Sequence, residues 1–254
     1  MAQRARLWFG WFDGTLSDAM RREFVDVLRT LATRHALTLL AVLAVVLGVW
    51  AFVSLIDTVS EGHSQKFDER VIHWCVAHPG PQWLQDSGRD ITALGGVTVI
   101  AMVTAAAVGF LLISRKRGAA ALLVVAVLGG LLISGLIKHF MHRDRPPRDL
   151  QEAYVFTHSF PSGHSMLSAI IYLTIGALLA QVTRGRWLKL YLIALALLLT
   201  FLVGLSRVYL RVHWPTDVLA GWSAGLTWAI LCLVVARQLQ HRGAVETEET
   251  SAKP

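Results

Sequence analysis

Six apolar runs decide what this chain can fold into. They cover 36–56, 92–114, 119–137, 165–182, 188–205 and 218–236. Each is close to the ~20 residues a helix needs to cross a hydrocarbon core about 30 Å thick. Lipid offers no water to a free N–H or C=O, so such a run must close its own hydrogen bonds as a helix. The expected fold is all-α, a polytopic membrane protein with six transmembrane helices. Charged residues make up 16% of the chain, against about 25% in soluble domains. Three regions are expected: a cytoplasmic segment 1–35, a membrane domain 36–236, and a disordered cytoplasmic tail 237–254 rich in Glu246, Glu248 and Glu249.

Lys and Arg in short loops set the orientation. Arg21, Arg22, Arg29 and Arg34 precede the first run, and Arg115, Lys116 and Arg117 separate the second and third. Arg184, Arg186 and Lys189 separate the fourth and fifth, and Arg237 and Arg242 follow the sixth. All fall on one side, expected to be cytoplasmic, with both termini there. The net charge of +7 then belongs to loops facing an anionic leaflet, and no nucleic-acid partner is expected. The opposite side receives 57–90, which carries six acids against Lys66, Arg70 and Arg89. That segment reads equally as an interfacial lid, through Trp74 and Trp83, or as a linker. Met20, Phe24, Val27, Leu28 and Leu31 recur at helical spacing, suiting either an interfacial helix anchored by Trp8, Phe9, Trp11 and Phe12 or an ordinary cytosolic one. Cys75 and Cys232 fall on opposite sides and are not expected to pair. No signal peptide is expected, since the first apolar run starts near Ala36.

Three polar clusters interrupt this pattern, all on the non-cytoplasmic side, where Lys138, Arg143, Arg145, Arg148, Arg207 and Arg211 break the charge rule. The first is Lys138 with Arg145-Pro146. An Arg grips phosphate oxygens bidentately and a Lys adds a compact charge, although two side chains snorkelling at a boundary would look the same. Arg143 and Arg148 stand outside this pattern. The second is Pro161-Ser162-Gly163-His164, where Ser162 suits a helix cap and Gly163 the close approach of an anion to a helix N-terminus. The third is Ser206-Arg207, then His213 and Asp217. A carboxylate on one ring nitrogen leaves the other free as nucleophile or base. The same pair also reads as a buried packing contact, or Asp217 as a residue favouring a helix N-terminus.

Taken together, K-x6-R-P, P-S-G-H and S-R-x5-H-x3-D resemble the signature of the type 2 phosphatidic acid phosphatase superfamily, matched at every fixed position. The resemblance implies His213 as nucleophile forming a phosphohistidine, Asp217 orienting it, and His164 as general acid. It implies Lys138, Arg145 and Arg207 on the phosphate oxygens, helped by Ser162 and the Gly163 backbone. It also implies metal independence and no cofactor. His139, His142 and His158 lack a completing sulfur or carboxylate for zinc.

The expected function is hydrolysis of a lipid monophosphate or diphosphate, such as undecaprenyl diphosphate, phosphatidylglycerophosphate or phosphatidic acid. The expected location is the inner (cytoplasmic) membrane, multi-pass, with the site facing the periplasm or exterior. Phosphotransfer to an acceptor other than water, and transport of lipid phosphates without hydrolysis, are the alternatives. A transporter has no need of two histidines and an orienting aspartate. The haloperoxidase chemistry that uses a similar anion site belongs to soluble proteins.

Overall fold

A computed structural model describes residues 15–152 and 157–241, with side chains placed at 36, 38–152 and 157–239. The aromatic cluster at 8–12, the side chains of 20–31 and the tail from Arg242 lie outside these. Two compact units make up the chain, 1–43 and 44–254.

Every described element is helical. Helix α1 runs Thr15–Ser60, and two shorter helices follow, α2 Gln65–Ala77 and α3 Gln82–Ala93. Then come α4 Val97–Ile113, α5 Arg117–Phe140, a single 3₁₀ turn Arg148–Leu150, α6 Gly163–Val182, α7 Arg186–Tyr209 and α8 Pro215–His241. Five stretches are long and apolar enough to cross a membrane: Thr38–Ser60, Arg117–Phe140, Gly163–Val182, Arg186–Tyr209 and Pro215–Leu239. The bent pair α3 and α4 supplies a sixth if taken as one span.

That pair corrects the expectation of an unbroken helix over 92–114. The chain bends by 50° between Ala93 and Val97, and at Gly95 the backbone packs too closely to admit a side chain. A Cβ on Gly95 would lie 2.4 Å from Val203 Cγ1 and 3.2 Å from His164 Cβ. The carbonyl of Leu94, released by the break, accepts a hydrogen bond from Tyr172 Oη at 2.8 Å. The segment 57–90 also proves more ordered than a linker, since α2 and α3 fill most of it.

Helix α6 is the hub of the second unit, packed against α7, α8, α5 and α4. Met166, Leu167, Ile170 and Ile171 join Ile100, Leu123, Ala126, Val127 and Cys232 in one buried cluster. Membrane helices approach through small residues, which gain dispersion contact without side-chain bulk. Gly221 and Gly225, four apart on α8, serve this purpose: a Cβ on each would come within 2.6 Å of the Ser162 carbonyl and 2.5 Å of the Met166 carbonyl. The outward surface carries large apolar side chains, among them Trp50, Met102, Phe110, Leu132 and Trp187. Facing lipid, they incur no hydration cost.

Candidate active site

Five chain breaks meet at one end of the bundle: the last turn of α5, the first of α6, the last of α7, the first of α8, and the α3–α4 bend. Each helix extends slightly past its apolar run, so the polar clusters ride on helix termini. Lys138 lies in the last turn of α5, His164 in the first turn of α6, Arg207 in the last turn of α7, and Asp217 in the first turn of α8. Proline suits the opening of α8, where a missing N–H costs no intrahelical bond. His213 stands in the turn before it and Arg145 in the loop before α6.

Ser162 is fully buried and caps α6, its Oγ accepting from the Ser165 amide at 3.4 Å and from the Ser165 hydroxyl at 2.9 Å. Its own amide donates to the Asp217 carbonyl at 3.0 Å, tying the second cluster to the third. A Cβ on Gly163 would lie 3.8 Å from Lys138 Nζ, which itself donates to the His158 carbonyl at 3.3 Å. Arg145 donates through Nε to Thr157 O at 2.7 Å, through Nη2 to His158 O at 3.3 Å, and through Nη1 to Val212 O. The loop carbonyls thus hold the guanidinium in place. Arg207 Nη1 donates to Thr92 Oγ1 at 2.8 Å. Its Nε is buried and finds no partner among the described residues.

His213 is 1% exposed, and its imidazole has two distinct edges. Nδ1 lies 3.4 Å from Asp217 Oδ2 and 3.4 Å from Ser159 Oγ. Nε2 lies 3.1 Å from Arg145 Nη1. Hydrogen on Nδ1 satisfies the carboxylate edge and leaves the Nε2 lone pair toward the guanidinium. Burial pushes His213 down to about 3, outweighing the hydrogen bond that Nδ1 donates to Asp217, which acts the other way. The ring is therefore neutral at ordinary pH, as a nucleophile must be. Burial also brings Arg145 down to about 10, still cationic at neutral pH. Arg207, His213, Lys138 and Arg145 all lie within electrostatic range of His164. The eight residues singled out from the motifs are gathered here, and none falls elsewhere.

The site also contains residues that the motifs do not mark. Arg143 reaches Asp217 Oδ1 at 2.5 Å and Asp68 Oδ2 at 2.6 Å. Ser159 donates to Asp217 Oδ2, and the Trp214 amide does so at 2.9 Å. Arg143 was legible only as a second cation two places before Arg145, and Asp68 carries no local signal at all. Among the described residues no group of three or more His, Cys, Asp or Glu is arranged to hold a metal ion. His142 and His158 meet only edge to face, with ring centroids 4.8 Å apart.

Comparison with known proteins gives the family. The PAP2 superfamily model matches residues 118–240, which include all three clusters. A phosphatidylglycerophosphatase B of Bacillus subtilis is 31% identical over 178 residues, covering 69% of this chain and 86% of that protein. An undecaprenyl-diphosphatase of Sulfolobus acidocaldarius is 30% identical over 148 residues, covering 56% of this chain and 66% of that protein. The crystal structure of a transmembrane PAP2-type phosphatidylglycerolphosphate phosphatase from Bacillus subtilis superposes with a TM-score of 0.72 at 28% identity, covering 77% of this chain and 96% of the other. Aquifex aeolicus LpxE shares the fold, with a TM-score of 0.53 at 24% identity, over 66% of this chain and 94% of its own. The chain belongs to the PAP2 superfamily.

Proposed function

We propose that this protein removes phosphate from a lipid monophosphate or diphosphate through a phosphohistidine at His213, with no metal taking part. It is a multi-pass membrane phosphatase of the PAP2 type acting on lipid phosphates, in keeping with its family and with relatives named for undecaprenyl diphosphate and phosphatidylglycerophosphate. The observation that carries the finer reading is the two-edged environment of His213, with a carboxylate at Nδ1 and a guanidinium at Nε2.

In the first half-reaction the Nε2 lone pair attacks phosphorus and the bond from phosphorus to the lipid oxygen breaks. That oxygen takes a proton from His164, which carries it once the negative charge of the bound phosphate offsets the surrounding cations. In the second, water attacks the phosphoryl group, gives a proton back to His164, and the phosphorus–nitrogen bond breaks to release inorganic phosphate. Lys138, Arg145 and Arg207 match the charge on the transferring oxygens, an electrostatic contribution larger in a water-poor site. The Gly163 amide, in the first turn of α6, adds a backbone donor at a helix N-terminus. Ser162 acts chiefly through its cap on that turn. A site at helix ends beside lipid-facing surface suits a substrate whose tail stays in the bilayer. The basic loops favour a cytoplasmic location for both termini, which puts the site on the exterior side of the inner membrane.

The test is phosphate release by the purified protein in detergent with EDTA present. Undecaprenyl diphosphate, phosphatidylglycerophosphate, phosphatidic acid and a soluble sugar phosphate form the panel. EDTA-resistant release from at least one lipid, absent in His213→Ala, is the expected result. Release that EDTA abolishes would contradict the metal-free reading.

A further inference from the structure

Arg143 joins two carboxylates that are almost wholly out of solvent, Asp68 at 1% and Asp217 at 0% exposed. A buried carboxylate is tolerated only when charge and hydrogen bonds compensate its lost hydration, and here one guanidinium serves both. Nη1 reaches Asp217 Oδ1 at 2.5 Å and Thr216 Oγ1 at 2.8 Å. Nη2 reaches Asp68 Oδ2 at 2.6 Å and Ser64 Oγ at 3.4 Å. Asp68 in turn accepts the Thr216 amide at 3.1 Å and the Thr216 hydroxyl at 2.7 Å. That amide is one of the free donors at the start of α8. Asp68, on α2, therefore clamps the residue directly before Asp217 from outside the helix.

We propose that Asp68 and Arg143 are positioning residues for the His213–Asp217 pair, and that α2 forms part of the catalytic frame. The inference rests on the phosphohistidine reading above. When Nε2 bonds phosphorus, the imidazole, still carrying hydrogen on Nδ1, becomes cationic. Asp217 stabilises that cation only if its carboxylate stays ionised and aimed at Nδ1. Arg143 fixes its direction. Asp68, sharing the guanidinium, keeps Arg143 from neutralising Asp217 outright. The segment 57–90 thereby has a role in the chemistry, which a lid or a linker would not.

The experiment measures kcat and KM on a lipid phosphate that the wild-type full chain hydrolyses, drawn from phosphatidylglycerophosphate and undecaprenyl diphosphate in detergent. The variants are Arg143→Ala, Arg143→Lys, Asp68→Asn, Asp217→Asn and the Arg143→Ala/Asp217→Asn pair. Arg143→Ala and Asp68→Asn should each lower kcat about 10- to 100-fold, by analogy with the loss on removing the outer partner of a metal-bound histidine. KM should move less than about 2-fold, and Arg143→Lys should recover part of the loss. Because Arg143 acts through Asp217, adding Arg143→Ala to Asp217→Asn should cost less than about 3-fold more. A fully additive double variant, or a loss confined to KM, would overturn the proposal. Should Arg143→Ala fail to fold, Arg143→Lys carries the same cycle with Asp217→Asn. An active wild type with an inert His213→Ala and an additive cycle removes this inference alone. A folded wild type that hydrolyses none of phosphatidylglycerophosphate, undecaprenyl diphosphate and phosphatidic acid removes the phosphatase reading and this inference with it.

Discussion

At the scale of single residues, the imidazole of His213 sits where water would normally compete for its proton, and burial settles that competition. The unfolded chain presents the ring near 6.5 and the folded chain near 3. Between those values the unfolded state binds a proton that the folded state does not, so His213 lowers stability as pH falls from about 6.5 toward about 3. Thermal unfolding of wild type and His213→Gln across that range should show the wild type losing more. Equal pH dependence in the two proteins would contradict the assignment of a buried neutral ring. The motif residues were legible because their spacing is local: His213 and Asp217 are four residues apart, and the roles proposed for them come from the resemblance. Arg143 and Asp68 were not, since their partner relationships span 74 and 148 positions. No spacing rule along one chain reports a contact of that kind, and a buried acid in an outer segment looks like any solvated one.

At the scale of elements, the first turn of α6, with Ser162, Gly163 and His164, is placed by how closely α8 crosses it. Gly221 lies under Ser162, where a Cβ would meet the carbonyl at 2.6 Å and Ser165 Cβ at 3.0 Å. Gly221→Ala should therefore push the 162–164 turn away from His213. We expect a loss of about 1–3 kcal/mol, the usual cost of overpacking, together with a fall in kcat. Gly109 is the control, with nothing within 4 Å of its Cβ position. Gly109→Ala should leave activity intact, and comparable damage from both variants would show that the α6–α8 crossing is not special. The order of the spanning stretches could be read from hydropathy, because length and apolarity report spanning directly. The bend before α4 could not, because the neighbours that meet the backbone there, Val203 and His164 beside Gly95, are far away in sequence. The runs 119–137, 188–205 and 218–236 also understated their helices at both ends, as polar residues in the terminal turns lie beyond the hydrocarbon yet keep their helical hydrogen bonds.

At the scale of the whole molecule, the loop charges predict the direction in which the site faces. Glu61 is exposed near the site end and Arg184 in the loop between α6 and α7. In intact cells a membrane-impermeant maleimide should label Glu61→Cys, and should label Arg184→Cys only after permeabilisation. The native cysteines Cys75 and Cys232 are buried and should contribute little background. The reverse pattern would place the site on the cytoplasmic side and exclude a substrate pool in the outer leaflet. Whichever way it faces, the account stands on one covalent bond. The direct measurement is mass spectrometry of enzyme quenched at alkaline pH during turnover of its lipid substrate. A phosphoryl group on His213 that is acid-labile, and missing from His213→Ala, is the predicted result. Turnover with no trapped phosphoryl group, or with the group on another residue, would contradict it.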